Sequence, residues 1–288
     1  MDQAVINGLA EGSVYALLAL GLVFIYRITE IATFAHGEAS ALAAFTGFTL
    51  FQALGAPFAV AVIASVAAGA LVGALVERLV IRPVQHSGFL ATVVVTLGLF
   101  FVIHGLIKAI WGPDVRPYPS LFGEGNFHVA GVGISYQHLG VMVTALLIAA
   151  GLAAYLRWTR TGLALRAIPQ NRMGAALIGL NIRRLTSTAW VIGTAVGAVA
   201  GVLIAPLTFL HSNMMQGPII KAFAVAALGG LHSLVGAFVG GLVLGVVENV
   251  AVLYIPTYFK DSIALLFIFL VLLLQPEGMF GKQRREKV

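Results

Sequence analysis

The stretch TFAHGEAS, residues 33–40, places an imidazole, a glycine and a carboxylate in a row within apolar sequence. A glycine tolerates backbone conformations that interrupt a helix. If the helix restarts at Gly37, Glu38 lies in its first turn, where the positive end of the helix dipole stabilises a carboxylate. The stretch therefore predicts an interrupted helix at His36, Gly37 and Glu38.

Two roles remain open for the ionisable pair in this stretch. Ionisable groups at membrane depth are costly and usually face a cavity or one another, so His36 and Glu38 are candidates to line or gate a polar pathway. The alternative is structural: Glu38 caps a helix, and His36 donates a hydrogen bond to a carbonyl that the interruption leaves free.

Composition indicates that the surroundings of this stretch are a lipid bilayer. Of 288 residues, 60% are hydrophobic and 10% are charged, and the mean hydropathy is +0.99. Apolar runs of about twenty residues recur, as in membrane-spanning helices. The first run contains Glu11 and follows Asp2, which favours a retained span over a signal peptide. The chain has no cysteine, which excludes thiolate chemistry and disulfides.

The sequence predicts an all-α polytopic membrane protein of about eight to ten transmembrane helices, some of them interrupted, in a single transmembrane domain over residues 1–288. Arginine-rich loops favour the cytoplasm, and the segment 157–186 and the tail 276–288 carry most of the basic residues. We therefore expect the N-terminus outside and the C-terminus inside, with membrane lipid, not nucleic acid, as the basic surface's partner. The predicted spans are 4–26, 31–54, 57–80, 88–110, 138–156, 187–210, 219–232, 235–254 and 261–275.

Two parts of the chain share one plan, which suggests an inverted repeat. Residues 12–80 run as a long span, the TFAHGEAS interruption and a helix rich in small residues that ends in Glu77. Residues 187–249 repeat that order and end in Glu248. Interrupted segments at matching positions of two halves point to a translocation site. We interpret Glu77 and Glu248 as structural carboxylates near an interface, where each reaches water or pairs with Arg78 or a neighbouring helix.

The second interrupted segment contributes Lys221 and Phe223 as candidate pathway residues. Lys221 precedes the apolar run FAVAALGG. It either attracts a substrate carboxylate, pairs with an acid from another span, or extends its ammonium group to the interface.

The cytoplasmic segment contains a predicted docking helix. From Arg172 to Ile182, Met173, Ala176, Leu177 and Leu180 fall on one apolar face. An exposed apolar face with an arginine rim indicates a docking element for another subunit, or alternatively a helix lying on anionic lipid.

Several motifs resemble the LivH-type permeases of branched-chain amino acid importers that use ATP-binding-cassette (ABC) ATPases. The resemblance spans nearly the whole chain. Its motifs are FAHGE at 34–38, ERLVIRPV at 77–84, TGLALRA at 161–167, GAALIGLNI at 174–182, KAFAVAALGG at 221–230 and GAFVGGLVLGVVE at 236–248.

The resemblance implies a heteromeric importer that passes branched-chain or other hydrophobic amino acids from a binding protein into the cytoplasm. The implied partners are a second, LivM-like permease, two cytoplasmic ABC ATPases that bind ATP and Mg, and a periplasmic or lipid-anchored binding protein. GAALIGLNI matches the family's coupling helix, although it lacks the glutamate of the EAA consensus. The implied ATPase-coupling residues are Arg166, Arg172, Gly174, Ala175, Ala176, Gly179 and Asn181.

The residues themselves limit the other functional classes. No GxxxxGK[ST] loop is present, so this chain has no usual means of binding ATP and we expect no cofactor in it. GxSxG and HExxH are absent, and the histidines lack ligand spacing, which disfavours an enzyme or a metal site. The family also has members that carry urea or small organic acids. An ion-coupled secondary transporter using His36, Glu38, Glu77 and Glu248 stays a further alternative.

Overall fold

The computed structural model describes residues 1–85, 87–123, 125–129 and 132–274. The protein is an all-α membrane protein, and the predicted tail at 276–288 lies outside the described residues. The helices are α1 (Asp2–Thr29), α2 (His36–Ala53), α3 (Phe58–Leu75), α4 (Arg82–Val84), α5 (Phe89–Trp111), α6 (Tyr136–Trp158), α7 (Arg160–Ala167), α8 (Arg172–Leu177), α9 (Ile182–Thr208), α10 (Gln216–Gly229), α11 (Leu234–Ala251) and α12 (Lys260–Leu274).

The predicted spans correspond to helices, with shifted boundaries. Six helices in the described part are long and apolar enough to cross a membrane: α1, the continuous helix Phe58–Val84, α5, α6, α9 and α11. The helices α2, α10 and α12 are not among these six. The multi-pass architecture is therefore confirmed, whereas the number of crossings stays a prediction.

Helix α1 is the central helix of the bundle. In its most apolar window, 89% of the residues are buried, against 22% in Phe58–Val84, α5 and α6. It packs against α11, α9, α10 and α6. The helices at the periphery therefore carry most of the lipid-facing apolar surface.

Small residues allow the central helices to approach closely. A Cβ added to Gly8 of α1 would lie 2.7 Å from the carbonyl oxygen of Gly245 in α11. One turn further along, Gly12 lies equally close to Gly241. This is the small-xxx-small packing expected of membrane helices, with a glycine pair on each side.

The contacts of the two predicted repeat units follow one pattern. In the first unit α1 packs along α11 and contacts α10, whereas in the second unit α9 packs along α3 and contacts α2. Each long helix thus packs against the last two helices of the other unit.

Three local features were not predicted from the sequence. The helix α3 continues through a π-helical segment, Val76–Ile81, into α4. The loop between α5 and α6 contains an antiparallel hairpin of β1 (Asn126–Val129) and β2 (Val132–Ser135). In the same loop, Arg116 exchanges two backbone hydrogen bonds of 2.9 Å with Leu210, which fixes the loop to the chain segment before α10.

Candidate functional site

The first interruption begins at Glu30 rather than at a glycine. Glu30 follows α1 and adopts a left-handed conformation with φ 60°, and α2 begins at His36. The expectation that Gly37 breaks the helix was wrong, because Gly37 is the second residue of α2 and has no positive φ. Its hydrogen atom in place of a side chain serves close packing instead: an added Cβ would lie 2.9 Å from Cβ of Ile219 in α10.

His36 occupies the interior between α1 and α9. Its side chain is buried, and a Cβ at Gly21 of α1 or Gly197 of α9 would lie 2.8 Å from its Nε2 atom. Gly21 is about 12 Å along the axis from the end of α1. The segment after α1 therefore turns back into the bundle, and the two glycines provide the space for the imidazole ring.

Neither ring nitrogen of His36 has a hydrogen-bond partner among the described residues. The predicted bond from His36 to a free backbone carbonyl is therefore not formed.

Glu38 pairs with His104, which was not among the residues predicted from the sequence. The carboxylate is 1% exposed, and its Oε2 atom lies 3.1 Å from Nδ1 of His104 in α5. The His104 ring is stacked on Phe100, with ring centroids 5.9 Å apart. His36 and Glu38 thus contact different helices. The available signal was His104 itself, an ionisable residue in the middle of an apolar span, which requires a polar partner.

The two interrupted segments meet in the structure. The second interruption begins at Phe209, with φ 62°, and ends where α10 starts at Gln216. The ring of Phe223 in α10 stacks on Phe34 of the first interruption, with centroids 4.9 Å apart. Together with the contact between Gly37 and Ile219, this stacking places the predicted residues Gly37 and Phe223 in one junction.

Lys221 is the centre of a buried charged cluster. Its ammonium group donates hydrogen bonds to Glu248 of α11 and, at 3.3 Å, to the hydroxyl of Tyr15 in α1. It also forms an ion pair of 2.9 Å with Asp261 of α12. Of the two carboxylates, Glu248 is fully buried and Asp261 is 75% exposed. Of the earlier alternatives, the structure therefore shows pairing with acids from other helices.

A second ion pair joins α12 to α1 in the same region. Lys260 donates a hydrogen bond of 2.6 Å to Glu11, which also accepts one of 3.2 Å from Asn249. The last described helix is therefore held to the central helix by charged groups at its N-terminal end.

Glu77, in the π-helical segment Val76–Ile81, links the end of the third helix to α9. Its carboxylate accepts two hydrogen bonds from Arg82, at 3.1 and 2.8 Å, and one of 2.6 Å from Ser187. The partner is thus Arg82 together with a neighbouring helix, not Arg78. The structural interpretation of Glu77 agrees with this clamp beside the start of α9.

The predicted docking helix is shorter than expected. The helix α8 ends at Leu177 and α9 starts at Ile182, because the chain turns at Gly179, whose φ is +83°. Asn171 caps α8 and Asn181 caps α9, each accepting a backbone N–H in the first turn.

The apolar face of α8 is open. Met173 is 76% exposed and Leu177 is 82% exposed, and Ile178 adds to the same surface. Leu180 instead packs on the core beside Leu185. The other predicted coupling residues divide into the exposed Arg166, Arg172, Ala176, Gly179 and Asn181, the half-buried Gly174 and the buried Ala175.

The described residues contain no group of three or more His, Asp or Glu side chains that could hold a metal ion.

The sequence of the whole bundle matches one protein family. Residues 4–275 match the family described as "Branched-chain amino acid transport system / permease component". The chain belongs to this family.

Two relatives from this permease family align over nearly the full length of the chain. The chain is 32% identical to the high-affinity branched-chain amino acid transport system permease protein LivH of Escherichia coli (strain K12), and the alignment covers 99% of the chain and 97% of LivH. It is also 32% identical to the permease protein BraD of Pseudomonas aeruginosa, with the same coverage.

A solved structure shares the fold of this permease. PsaBC from Streptococcus pneumoniae, in complex with Fab, superimposes with a TM-score of 0.53 at 14% identity. The match covers 97% of the chain and 93% of that structure's chain. At this identity the likeness concerns the fold alone.

Proposed function

We propose that this chain is a permease subunit of an ABC importer that moves branched-chain or other hydrophobic amino acids into the cytoplasm. The observation that carries the proposal is the identity of 32% to LivH and BraD over 99% of the chain, in a family of transport permeases. The proposed partners are a second permease, two ATPases that bind ATP and Mg, and a substrate-binding protein. Urea or a small organic acid is the alternative cargo.

In this proposal the energy for transport comes from ATP hydrolysis by the partner ATPases. The sequence has no phosphate-binding loop, whereas α8 offers an exposed apolar face between arginines. We assign this face to the cytoplasmic side, with the N-terminus outside, because the arginine-rich segment 157–186 favours the cytoplasm. Docking of an ATPase on Met173 and Leu177 would transmit movement to α9, which begins five residues after α8 ends.

A repeat of two units in opposite orientation allows alternating access, in which movement of one unit against the other opens the pathway first to one side of the membrane and then to the other. The reciprocal packing of α1 with α11 and of α9 with α3 supports such a repeat. The interruptions meet where Phe34 stacks on Phe223, and movement of one unit against the other changes this contact. We therefore assign the substrate pathway to the junction, with Gly37 and Glu38 on the first unit and Lys221 on the second.

The test is reconstitution of the complete transporter in liposomes. The chain is co-purified with its second permease, ATPases and binding protein, and uptake of radiolabelled leucine, urea and a short organic acid is measured. The proposal predicts leucine uptake that requires ATP and the binding protein and that persists when ion gradients are collapsed. Uptake that continues without ATPases but stops without an ion gradient would instead establish a secondary transporter.

A further inference from the structure

Four buried polar atoms lie around one small cavity at the first interruption. Within the described part of the chain, seven buried side-chain polar atoms have no hydrogen-bond partner. Four of them belong to three side chains: Oγ1 of Thr33, both ring nitrogens of His36, and Nε1 of Trp190. These three side chains line the same cavity, whose volume is about 10 Å³. Such clustering indicates a common partner for the three groups.

The chemistry of the three side chains is complementary to a single small hydrogen-bonding molecule. The indole N–H of Trp190 can only donate, the hydroxyl of Thr33 donates and accepts, and a neutral imidazole has one donor and one acceptor nitrogen. Leaving a buried polar group without a partner costs roughly 1–3 kcal/mol. Three unpartnered side chains at one place would therefore lower the stability of the fold severely.

The size of the cavity selects the molecule. A space of about 10 Å³ is near the lower limit for one water molecule, which needs two to four polar partners. An amino acid or another transported solute does not fit. The rest of the lining is mostly apolar: Ala35, Ala39, Val72, Val76, Leu99 and Ile103, with Thr194 as the remaining polar residue.

We propose that this cavity is a binding site for one structural water molecule that bridges Thr33, His36 and Trp190. The water oxygen accepts the Nε1–H of Trp190. Its two hydrogens are directed to the unprotonated ring nitrogen of His36 and to Oγ1 of Thr33. Three of the four unpartnered atoms then have a partner, and the imidazole keeps its place between α1 and α9 without a direct bond to the protein.

The bridge joins three parts of the chain that the fold otherwise connects by apolar contact. Thr33 lies in the first interruption, and His36 is the first residue of α2. Trp190 lies in the third turn of α9, near the N-terminal end of that helix. A water-mediated bond is nearly as favourable as a direct one, and water reorients more easily than a side chain. The water therefore lets α9 shift against the interruption while its three hydrogen bonds are kept.

The experiment is hydroxyl-radical footprinting by X-ray pulses on the intact transporter in nanodiscs, because radicals form at bound water and oxidise the side chains beside it. The readout is the oxidation rate of Trp190 in the wild type and two variants. Thr33→Val keeps the shape of the side chain but removes an unpaired hydroxyl. Thr194→Val is the matched control, since Thr194 lines the same cavity but its hydroxyl already donates 2.6 Å to the carbonyl of Trp190.

We expect Thr33→Val to reduce the oxidation of Trp190 several-fold and Thr194→Val to leave it at the wild-type rate. Equal rates in all three proteins, or an equal fall in both variants, would overturn the proposal. A density map of the wild-type transporter at a resolution that shows water provides a second measurement. It should contain a peak within hydrogen-bond distance of Nε1 of Trp190, and a map without such a peak contradicts the water site.

Discussion

Replacing Lys221 by methionine should destabilise the protein through the carboxylate it leaves behind. Glu248 is fully buried and loses its ammonium partner, whereas Asp261 is 75% exposed and regains water. Breaking a buried ion pair on one side costs about 3–5 kcal/mol, whereas an exposed pair contributes at most about 1 kcal/mol. Nearly all of the loss should therefore come from Glu248, and the melting temperature should fall on the order of 10 °C.

The double variant Lys221→Met/Glu248→Gln separates charge from packing. It removes both members of the buried pair, so no uncompensated charge remains, and we expect most of the lost stability to return. The matched control is Asp261→Asn, which should shift the melting temperature by no more than a few degrees. Thermal unfolding is measured on the assembled transporter in nanodiscs, followed by the fluorescence of an added dye or by loss of the folded band.

Two results would refute this reasoning about Lys221. One is a melting temperature of Lys221→Met equal to that of the wild type. The other is a melting temperature of the double variant no higher than that of Lys221→Met. The double variant also provides the proper background for transport, since it keeps the fold. Reduced leucine uptake there supports a pathway role for Lys221, and wild-type uptake leaves it as a purely structural residue.

Three further predictions concern the junction and the docking face. Glu38→Gln and His104→Gln should each lower leucine uptake roughly ten- to a hundredfold while basal ATP hydrolysis continues, because each removes a contact to a carboxylate of roughly 1.5–3 kcal/mol; normal uptake in both overturns the pathway role. Gly37→Leu should impair uptake more than His36→Gln, because its side chain overlaps Ile219, and Ile219→Ala should restore part of it; no recovery contradicts the packing argument. Ala176→Glu, at an exposed position, should leave insertion intact but dissociate the ATPases; a complex that still responds to loaded binding protein, measured by its ATPase rate, rules out docking there.

Hydropathy was sufficient to predict the membrane helices but not their local irregularities. The predicted spans coincide with helices because burial in lipid requires long apolar runs. The π-helical segment Val76–Ile81 left no such signal, since a π-helical turn changes the hydrogen-bond spacing without changing composition. The break at Glu30 was also hidden, because left-handed residues other than glycine are rare.

The candidate site was predicted in part, because single residues carry a signal but their partners do not. His36, Glu38 and Lys221 stand out as ionisable groups in apolar sequence. Their neighbours depend on packing between helices distant in the chain: His104 for Glu38, and Glu248 with Asp261 for Lys221. The sequence also misled about Gly37, which was expected to interrupt the helix. Gly37 instead allows close approach to Ile219, and the left-handed turn is formed by Glu30.

The deep burial of α1 has a consequence for the biogenesis of the protein. The helix α1 is synthesised more than two hundred residues before α11, although it lies at the centre of the bundle and its glycine pair is complementary to α11. At about 5–20 residues per second, α1 waits roughly ten to fifty seconds for that partner. During this time Glu11 lacks its partners Asn249 and Lys260, and Tyr15 lacks its partner Lys221. Insertion of α1 must therefore be provisional, and newly made chains should be most vulnerable to quality-control proteases before the last helices arrive.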